Sequence, residues 1–201
     1  MKIVFLDMYN SNPGDIDTSM FKELGEFITY DRTNPSDIKE RIKDADIVIT
    51  NKVRLGKAEL EGTKVKFIAE AATGFDNLGL NALKELGIGL ANVPSYSTYS
   101  VVQLTLAHLL NWANDVYSYA KNVRNGEWVD SRDFNFFLGT IHELAGKTAG
   151  IVGYGDIGQK VADAYRALGM KVIALKVAGH NADGDFFRDY EDFFKEADII
   201  S

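Results

Sequence analysis

Lys147-Thr-Ala-Gly-Ile-Val-Gly-Tyr-Gly-Asp-Ile-Gly158 decides how the rest of the chain is read. Its apolar run, Thr148 to Val152, predicts a buried strand. Gly153-Tyr-Gly155-Asp-Ile-Gly158 follows with the spacing G-x-G-x-x-G. Gln159 to Leu168 then runs at helical spacing, with Val161, Ala162, Ala164, Tyr165 and Leu168 mostly on one side. Strand, glycine turn and helix together make a dinucleotide-binding reading, which the bare glycine pattern would not carry. Each glycine has a task. Gly153 allows a tight turn, Gly155 lets a pyrophosphate approach the backbone, and Gly158 lets helix and strand pack closely. Asp156 and Ile157 open the helix, whose first N–H groups and partial positive charge suit a phosphate. The competing reading is an ordinary strand–turn–helix connection that happens to use glycine.

Outward from this turn, the pattern repeats. Gly169 is placed to cap the helix, and Lys171 to Leu175 predicts the next strand. Ala178 to Asp185 reads as a loop, Tyr190 to Lys195 as a short helix, and Ala197 to Ser201 as a third strand. A nucleotide-binding sheet is usually two halves of three strands each; this chain reads as one half. An edge strand at Ile199-Ile200 is then expected either to be disordered or to contact another chain.

Toward the N-terminus, strands are expected at Lys2 to Asp7, Phe27 to Tyr30, Asp46 to Asn51, Val65 to Ala69 and Ile88 to Val93. Helices are expected between them: Thr18 to Leu24, one opening at Asn34-Pro35-Ser-Asp37 with Asn34 as its cap, and Asn77 to Leu86 closed by Gly87. Alternation at this spacing means βαβ units and a parallel sheet. The fold class is therefore α/β, with residues 1–95 as one domain and 145–201 as the start of a second. Between them, Ser97 to about Val123 reads as a single helix. Its apolar positions Val101, Leu104, Thr105, His108, Trp112 and Val116 mark faces that need covering. Residues 127–144 crowd Trp128, Phe134, Phe136, Phe137, Leu138 and Ile141 into a stretch with no clean period. It reads as an arm for a subunit contact, or else as one folded back on its own domain.

Bulk properties narrow the class. The chain has 201 residues, 46% hydrophobic and 25% charged, which suits one or two small globular domains. A net charge of −7 argues against nucleic acid or an anionic membrane as the main partner. The absence of cysteine removes disulfide and thiolate chemistry and is compatible with the cytoplasm. No metal-ligand cluster stands out. Leu86 to Asn114 lacks any charged residue, but Pro94 and its many polar side chains argue against a membrane span.

Four patterns fall in an order and spacing that resemble the D-isomer-specific 2-hydroxyacid dehydrogenases. They are Ala72-Thr73-Gly74-Phe-Asp76-Asn77, Asn92-Val-Pro94-Ser-Tyr-Ser97-Thr-Tyr-Ser100-Val, Glu143-Leu-Ala-Gly146-Lys-Thr and the glycine turn. Asp133-Phe134-Asn-Phe136 points to the glycerate dehydrogenase/hydroxypyruvate reductase branch. The resemblance implies a flavodoxin-like substrate domain and a Rossmann (doubly wound) NAD- or NADP-binding domain, with a cleft between them. It also implies a homodimer built through the arm and the cofactor domain. It places the substrate carboxylate on backbone N–H groups at Thr73 and Gly74, with Gly74 free to point them inward, and makes Asn51 to Val53, including Lys52, a second wall. Thr105 matches a position that often faces the cofactor, although its hydroxyl is as well suited to bonding its own helix.

Two departures stand out. Where the family commonly has an acid to bond the ribose 2′-hydroxyl, this chain has Lys176, which suits a 2′-phosphate; His180 is a neighbouring loop histidine. The family's catalytic arginine, glutamate and histidine correspond to positions after Ser201. His108 reads as packed in the interdomain region, and His142 beside Glu143 does not make a dyad, because helix neighbours point apart. Two functions follow as expectations. One is an NAD(P)-dependent oxidoreductase that reduces a small 2-oxo acid, such as hydroxypyruvate or glyoxylate, to the D-2-hydroxy acid, with these 201 residues truncated before the catalytic groups and inactive alone. The other is a non-catalytic dimerising or anion-binding module on the same fold.

Overall fold

The computed structural model describes residues 1–177 and 184–201. His180 and most of the expected loop at 178–185 lie outside the described residues. The chain divides into two compact units, Met1–Tyr96 and Ser97–Ser201.

The first unit contains β1 (Lys2–Phe5), α1 (Ser19–Leu24), β2 (Glu26–Thr29), α2 (Ile38–Ile42), β3 (Ile47–Thr50), α3 (Lys57–Leu60), β4 (Phe67–Glu70), α4 (Leu80–Leu86) and β5 (Gly89–Ala91). All pairs are parallel, in the order β2-β1-β3-β4-β5. This is the flavodoxin-like order 2-1-3-4-5. Side chains alternate along each strand, and both faces are covered. Val4, Leu6, Val48 and Ile68 pack with Ile38, Ile42, Leu60 and Leu83 on one face. Ile3, Phe5 and Ile49 pack with Phe21 and Phe27 on the other.

Two details depart from expectation. Asn34 makes no cap to the backbone; a 3-10 turn at Pro35–Asp37 precedes α2, and the Asn34 amide donates to Asp37 Oδ2 at 3.1 Å. Proline fixes the local turn, and the Asn34 side chain donates to the carboxylate instead of presenting its oxygen to a backbone N–H. The helix expected from Asn77 starts at Leu80 instead, because the backbone before it pairs with Leu55, whose N–H goes to the Asn77 carbonyl at 3.1 Å and whose carbonyl receives the Gly79 N–H at 2.9 Å.

The second unit contains α5 (Thr98–Asn114), α6 (Val116–Arg124), α7 (Glu127–Asp130), β6 (Thr148–Ile151), α8 (Asp156–Ala167), β7 (Lys171–Leu175), β8 (Phe187–Arg188), α9 (Tyr190–Glu196) and β9 (Ile199–Ile200). The single helix expected from Ser97 to Val123 is broken. Asp115 adopts a left-handed conformation (φ 46°, ψ 45°), which aspartate tolerates better than most residues. Asn111 Oδ1 receives the N–H of Tyr117 at 3.1 Å, satisfying a donor at the start of α6. The buried stripe of α5 also differs from the expected one. Leu109 and Ala113, with Val102, Leu106 and Leu110, pack on Val161, Ala162 and Tyr165 of α8, whereas Val101, Leu104, His108 and Trp112 are exposed. A helix that is apolar almost all round does not announce which stripe it will bury.

The sheet order is β8-β7-β6-β9, all parallel. In local numbering this is 3-2-1-4, the Rossmann order. The expected third strand at Ala197 to Ser201 is therefore the fourth, lying beside β6. The third is the two-residue β8, too short to leave a pattern in the sequence. The end is paired on its β6 side: Ser201 donates its N–H to the Gly150 carbonyl and its carbonyl receives the Val152 N–H, each at 2.8 Å.

Candidate active site

The glycine turn connects β6 to α8. Gly153 has φ +92°, a conformation that side chains with a Cβ rarely adopt. Gly155 is the residue before the helix, with φ −88°. A Cβ at Gly153 or Gly155 would meet nothing within 4 Å, so the turn is open. At Gly158 it would lie 2.1 Å from the Gly153 carbonyl oxygen and 3.2 Å from Ile151 Cγ2, so only glycine lets the helix pack this closely. Ile157 packs against the core of the unit, and Asp156 is exposed in the first helical turn. The first N–H groups of α8 lie at this open turn, as helix geometry leaves them. Open space beside a helix N-terminus suits an anionic group such as a diphosphate.

Lys176 follows β7 and is exposed. Its Nζ lies 3.3 Å from Asp189 Oδ1, so its charge is already shared with a carboxylate. Thr105 Oγ1 donates to the Val101 carbonyl at 2.8 Å, which is the helix-backbone bond weighed as its alternative role. Thr105 also lines a groove of about 480 Å³ with His108, Leu109, Trp112, Tyr165 and Asp198 to Ser201. No residue of the glycine turn lines that groove. His108 is exposed on the surface of this unit. The His142 ring stacks on Trp112, with centroids 4.8 Å apart and planes 3° from parallel, and its backbone N–H bonds to Ala113.

In the first unit, the carboxyl ends of β3 and β4 bring the other expected residues together. Thr73 Oγ1 donates to the Val93 carbonyl at 2.9 Å, and Asn92 Nδ2 donates to the Thr73 carbonyl at 2.8 Å. The turn is thus tied to the segment after β5, while the backbone N–H groups of Thr73 and Gly74 bond to no described residue. Gly74 does not adopt a positive φ. A Cβ there would meet only Asp76 Oδ2, at 3.9 Å. The anchoring bonds shape the turn without a left-handed residue.

The Asn51 to Val53 wall is occupied internally. The N–H groups of Asn51 and Lys52 go to Asp7 Oδ1 and Oδ2 at 2.9 and 2.7 Å, and that of Val53 goes to Thr50 Oγ1 at 3.1 Å. Asn51 Nδ2 donates to Ser11 Oγ and the Ala71 carbonyl. Lys52 is exposed and makes no ion pair among the described residues. Asp7 and Glu70, both buried, escaped the sequence reading. The available signal was an acid closing or interrupting an otherwise apolar strand, since such acids are seldom buried without partners.

Two parallel sheets, ordered 2-1-3-4-5 and 3-2-1-4, with an open glycine turn in the second, define an α/β protein with a flavodoxin-like first unit and a Rossmann-like second one. Residues 106–201 match the D-isomer specific 2-hydroxyacid dehydrogenase, NAD binding domain family. Over its whole length, the chain is 39% identical to a hydroxypyruvate reductase of Blautia hydrogenotrophica, covering 65% of that protein. It is 34% identical to a glycerate dehydrogenase of Methylorubrum extorquens, covering 62% of it. The chain belongs to the D-isomer-specific 2-hydroxyacid dehydrogenase family and spans somewhat less than two thirds of the length of these relatives. A solved acyclic imino acid reductase, in complex with NADPH and D-Arg, superposes with a TM-score of 0.79 at 28% identity, covering 100% of this chain and 64% of that one. Among the described residues, no helix is long and apolar enough to cross a membrane.

Proposed function

We propose that this chain supplies the substrate-carboxylate turn and the diphosphate turn of a cytoplasmic NAD(P)-dependent 2-hydroxyacid dehydrogenase. Its substrate is a small 2-oxo acid, with hydroxypyruvate or glyoxylate favoured by the hydroxypyruvate reductase and glycerate dehydrogenase relatives. The observation that carries this reading is the Gly153–Gly158 cradle: open where phosphates would lie and closed where helix meets strand. When bound, the reduced nicotinamide supplies a hydride to the 2-oxo carbon. The chain's own residues bind and orient. The N–H groups at Gly155, Asp156 and Ile157 receive the diphosphate. Those of Thr73 and Gly74 receive the substrate carboxylate, with Asn51 and Lys52 forming the adjoining wall and Thr105 lying on the cofactor side. Lys176 is assigned to reading the adenosine ribose, and its pair with Asp189 means that the preference between NAD and NADP turns on which partner it takes.

Arginine, glutamate and histidine handle the proton and polarise the 2-oxo acid in the family the chain resembles; no described residue is assigned these tasks. The 201 residues by themselves are therefore proposed to bind without turnover. A steady-state assay with NADH and NADPH against hydroxypyruvate checks this, and clear turnover by the pure chain would refute it. Fluorescence titration with each nucleotide checks the cradle.

A second reading, a dimerising module, draws on the arm. Phe134 is 88% and Phe137 77% exposed, while Trp128 Nε1 bonds to the Phe134 carbonyl at 3.0 Å and Leu138 N–H bonds to Tyr119 Oη at 3.1 Å. Held in shape yet uncovered, this surface suits a second copy of the chain. A light-scattering mass of two chains together with no nucleotide affinity would favour the module over the enzyme.

A further inference from the structure

The carboxyl ends of β1, β3 and β4 are joined by one polar network with two buried carboxylates in it. Asp7 is 3% exposed and Glu70 1%. Asp7 receives the N–H groups of Asn51 and Lys52. Glu70 Oε2 receives Asn77 Nδ2 at 3.1 Å, and the same amide nitrogen reaches the Val53 carbonyl at 3.1 Å. Asn51 Nδ2 then bridges Ser11 Oγ at 3.0 Å and the Ala71 carbonyl at 3.2 Å. The loop after β3 is held at three successive N–H groups and joined to the segments after β1 and β4. Glu70 Oε1 is buried without a partner. An orphaned buried oxygen is costly when charged and tolerable when protonated.

We propose that Asp7 and Glu70 are positioning residues for the candidate acid-binding site, clamping the Asn51 to Val53 wall from the β1 side and, through Asn77, from the β4 side. The proposal rests on the reading that this end of the sheet takes the substrate carboxylate. Neither side chain is asked to touch substrate. Burial, first, pushes the Glu70 carboxyl up to about 7; the Asn77 bond opposes this, nearby Asp7 adds to it and Lys52 opposes it. Asp7, at the end of β1, and Lys52, after β3, are the charged groups facing it. Near neutrality Glu70 therefore exchanges a proton. A carboxylate arriving at the wall favours its protonated form, because like charges repel in a poorly screened setting. Binding of an anionic acid should draw a proton onto Glu70 and weaken as pH rises.

The test uses the isotopically labelled 201-residue chain, with hydroxypyruvate as the probe. In amide spectra between about pH 5.5 and 8.5, the signals of Asn51, Lys52 and the Asn77 side chain should move together, with a midpoint near 7. Glu70→Gln should abolish that movement, and Asp7→Asn should speed amide exchange at Asn51 and Lys52 but not at Val48. Hydroxypyruvate should bind the native chain roughly fivefold more tightly at about pH 6 than at about pH 8, and Glu70→Gln with no such difference. If Glu70→Gln fails to fold, the native chain's own titration still decides. Hydroxypyruvate that leaves the Thr73 and Gly74 amides unmoved would overturn the reading of the site. Binding there without any pH difference, and with flat Asn51 and Lys52 signals, would overturn the positioning role alone.

Discussion

In the sheet of Met1–Tyr96, the loops beyond the strands are held by polar side chains: Asp7 and Thr50 receive N–H groups of Asn51 to Val53, Asn51 reaches the Ala71 carbonyl, and Asn77 joins Glu70 to the Val53 carbonyl. In the sheet of Ser97–Ser201, the equivalent end is shaped by missing side chains, at Gly153, Gly155 and Gly158. Both leave backbone donors available at the carboxyl end of a parallel sheet, where open α/β proteins take ligands. The first does so by satisfying the donors around the free ones. The second does so by clearing space beside a helix N-terminus. The two designs should therefore fail differently: one through its supporting network and its protonation, the other through single added atoms.

Added atoms give the largest effect. Gly158→Ala places a Cβ against a backbone carbonyl at 2.1 Å. It should destabilise the chain by about 3 kcal/mol or more, read from urea unfolding. A loss under about 1 kcal/mol would mean that the turn relaxes and the contrast is weaker than drawn.

Protonation tests the other sheet. Burial pushes the Glu70 carboxyl from its ordinary 4.5 up to about 7. Between these values the unfolded chain has released this proton while the folded chain keeps it. Folding stability should then fall as pH rises from about 4.5 to about 7, and this contribution should level off above that. Unfolding curves for the native chain and Glu70→Gln over that window isolate the slope, which the variant should lack.

Gly155→Ala separates function from fold within the second sheet. Nothing lies within 4 Å of the added Cβ, and φ is −88°. Stability should change by about 0.5 kcal/mol or less, while nucleotide affinity falls about tenfold or more in a fluorescence titration. Unchanged affinity would remove the cradle from the argument. The smallest effect is expected at Lys176→Ala. Its pair with Asp189 is exposed, so stability should shift by less than about 0.5 kcal/mol. A fall in the ratio of NADPH to NADH affinity would show that Lys176 reads the 2′-position.

Most elements were legible in the chain, because apolar runs such as Lys2 to Leu6 and Thr148 to Val152 leave strong local signals. So was the glycine turn, whose residue types follow from local steric needs. Long-range competition was not legible. The Asn77 side chain goes to Val53 and Glu70 rather than to a helix start. Asp115 breaks a helix whose apolar pattern runs past it. The buried stripe of α5 was decided by α8, since several stripes were apolar enough to serve.

The residues alone determined that the chain is α/β, that it holds two βαβ series, and that a glycine turn joins strand to helix at Gly153. These follow from backbone sterics and hydrophobic periodicity, which act over a few residues. Only tertiary structure decided the strand orders, the place of β8 and β9, and the burial of Asp7 and Glu70 in one network. Strand order and desolvation depend on which distant segments meet, and no short stretch of sequence records that.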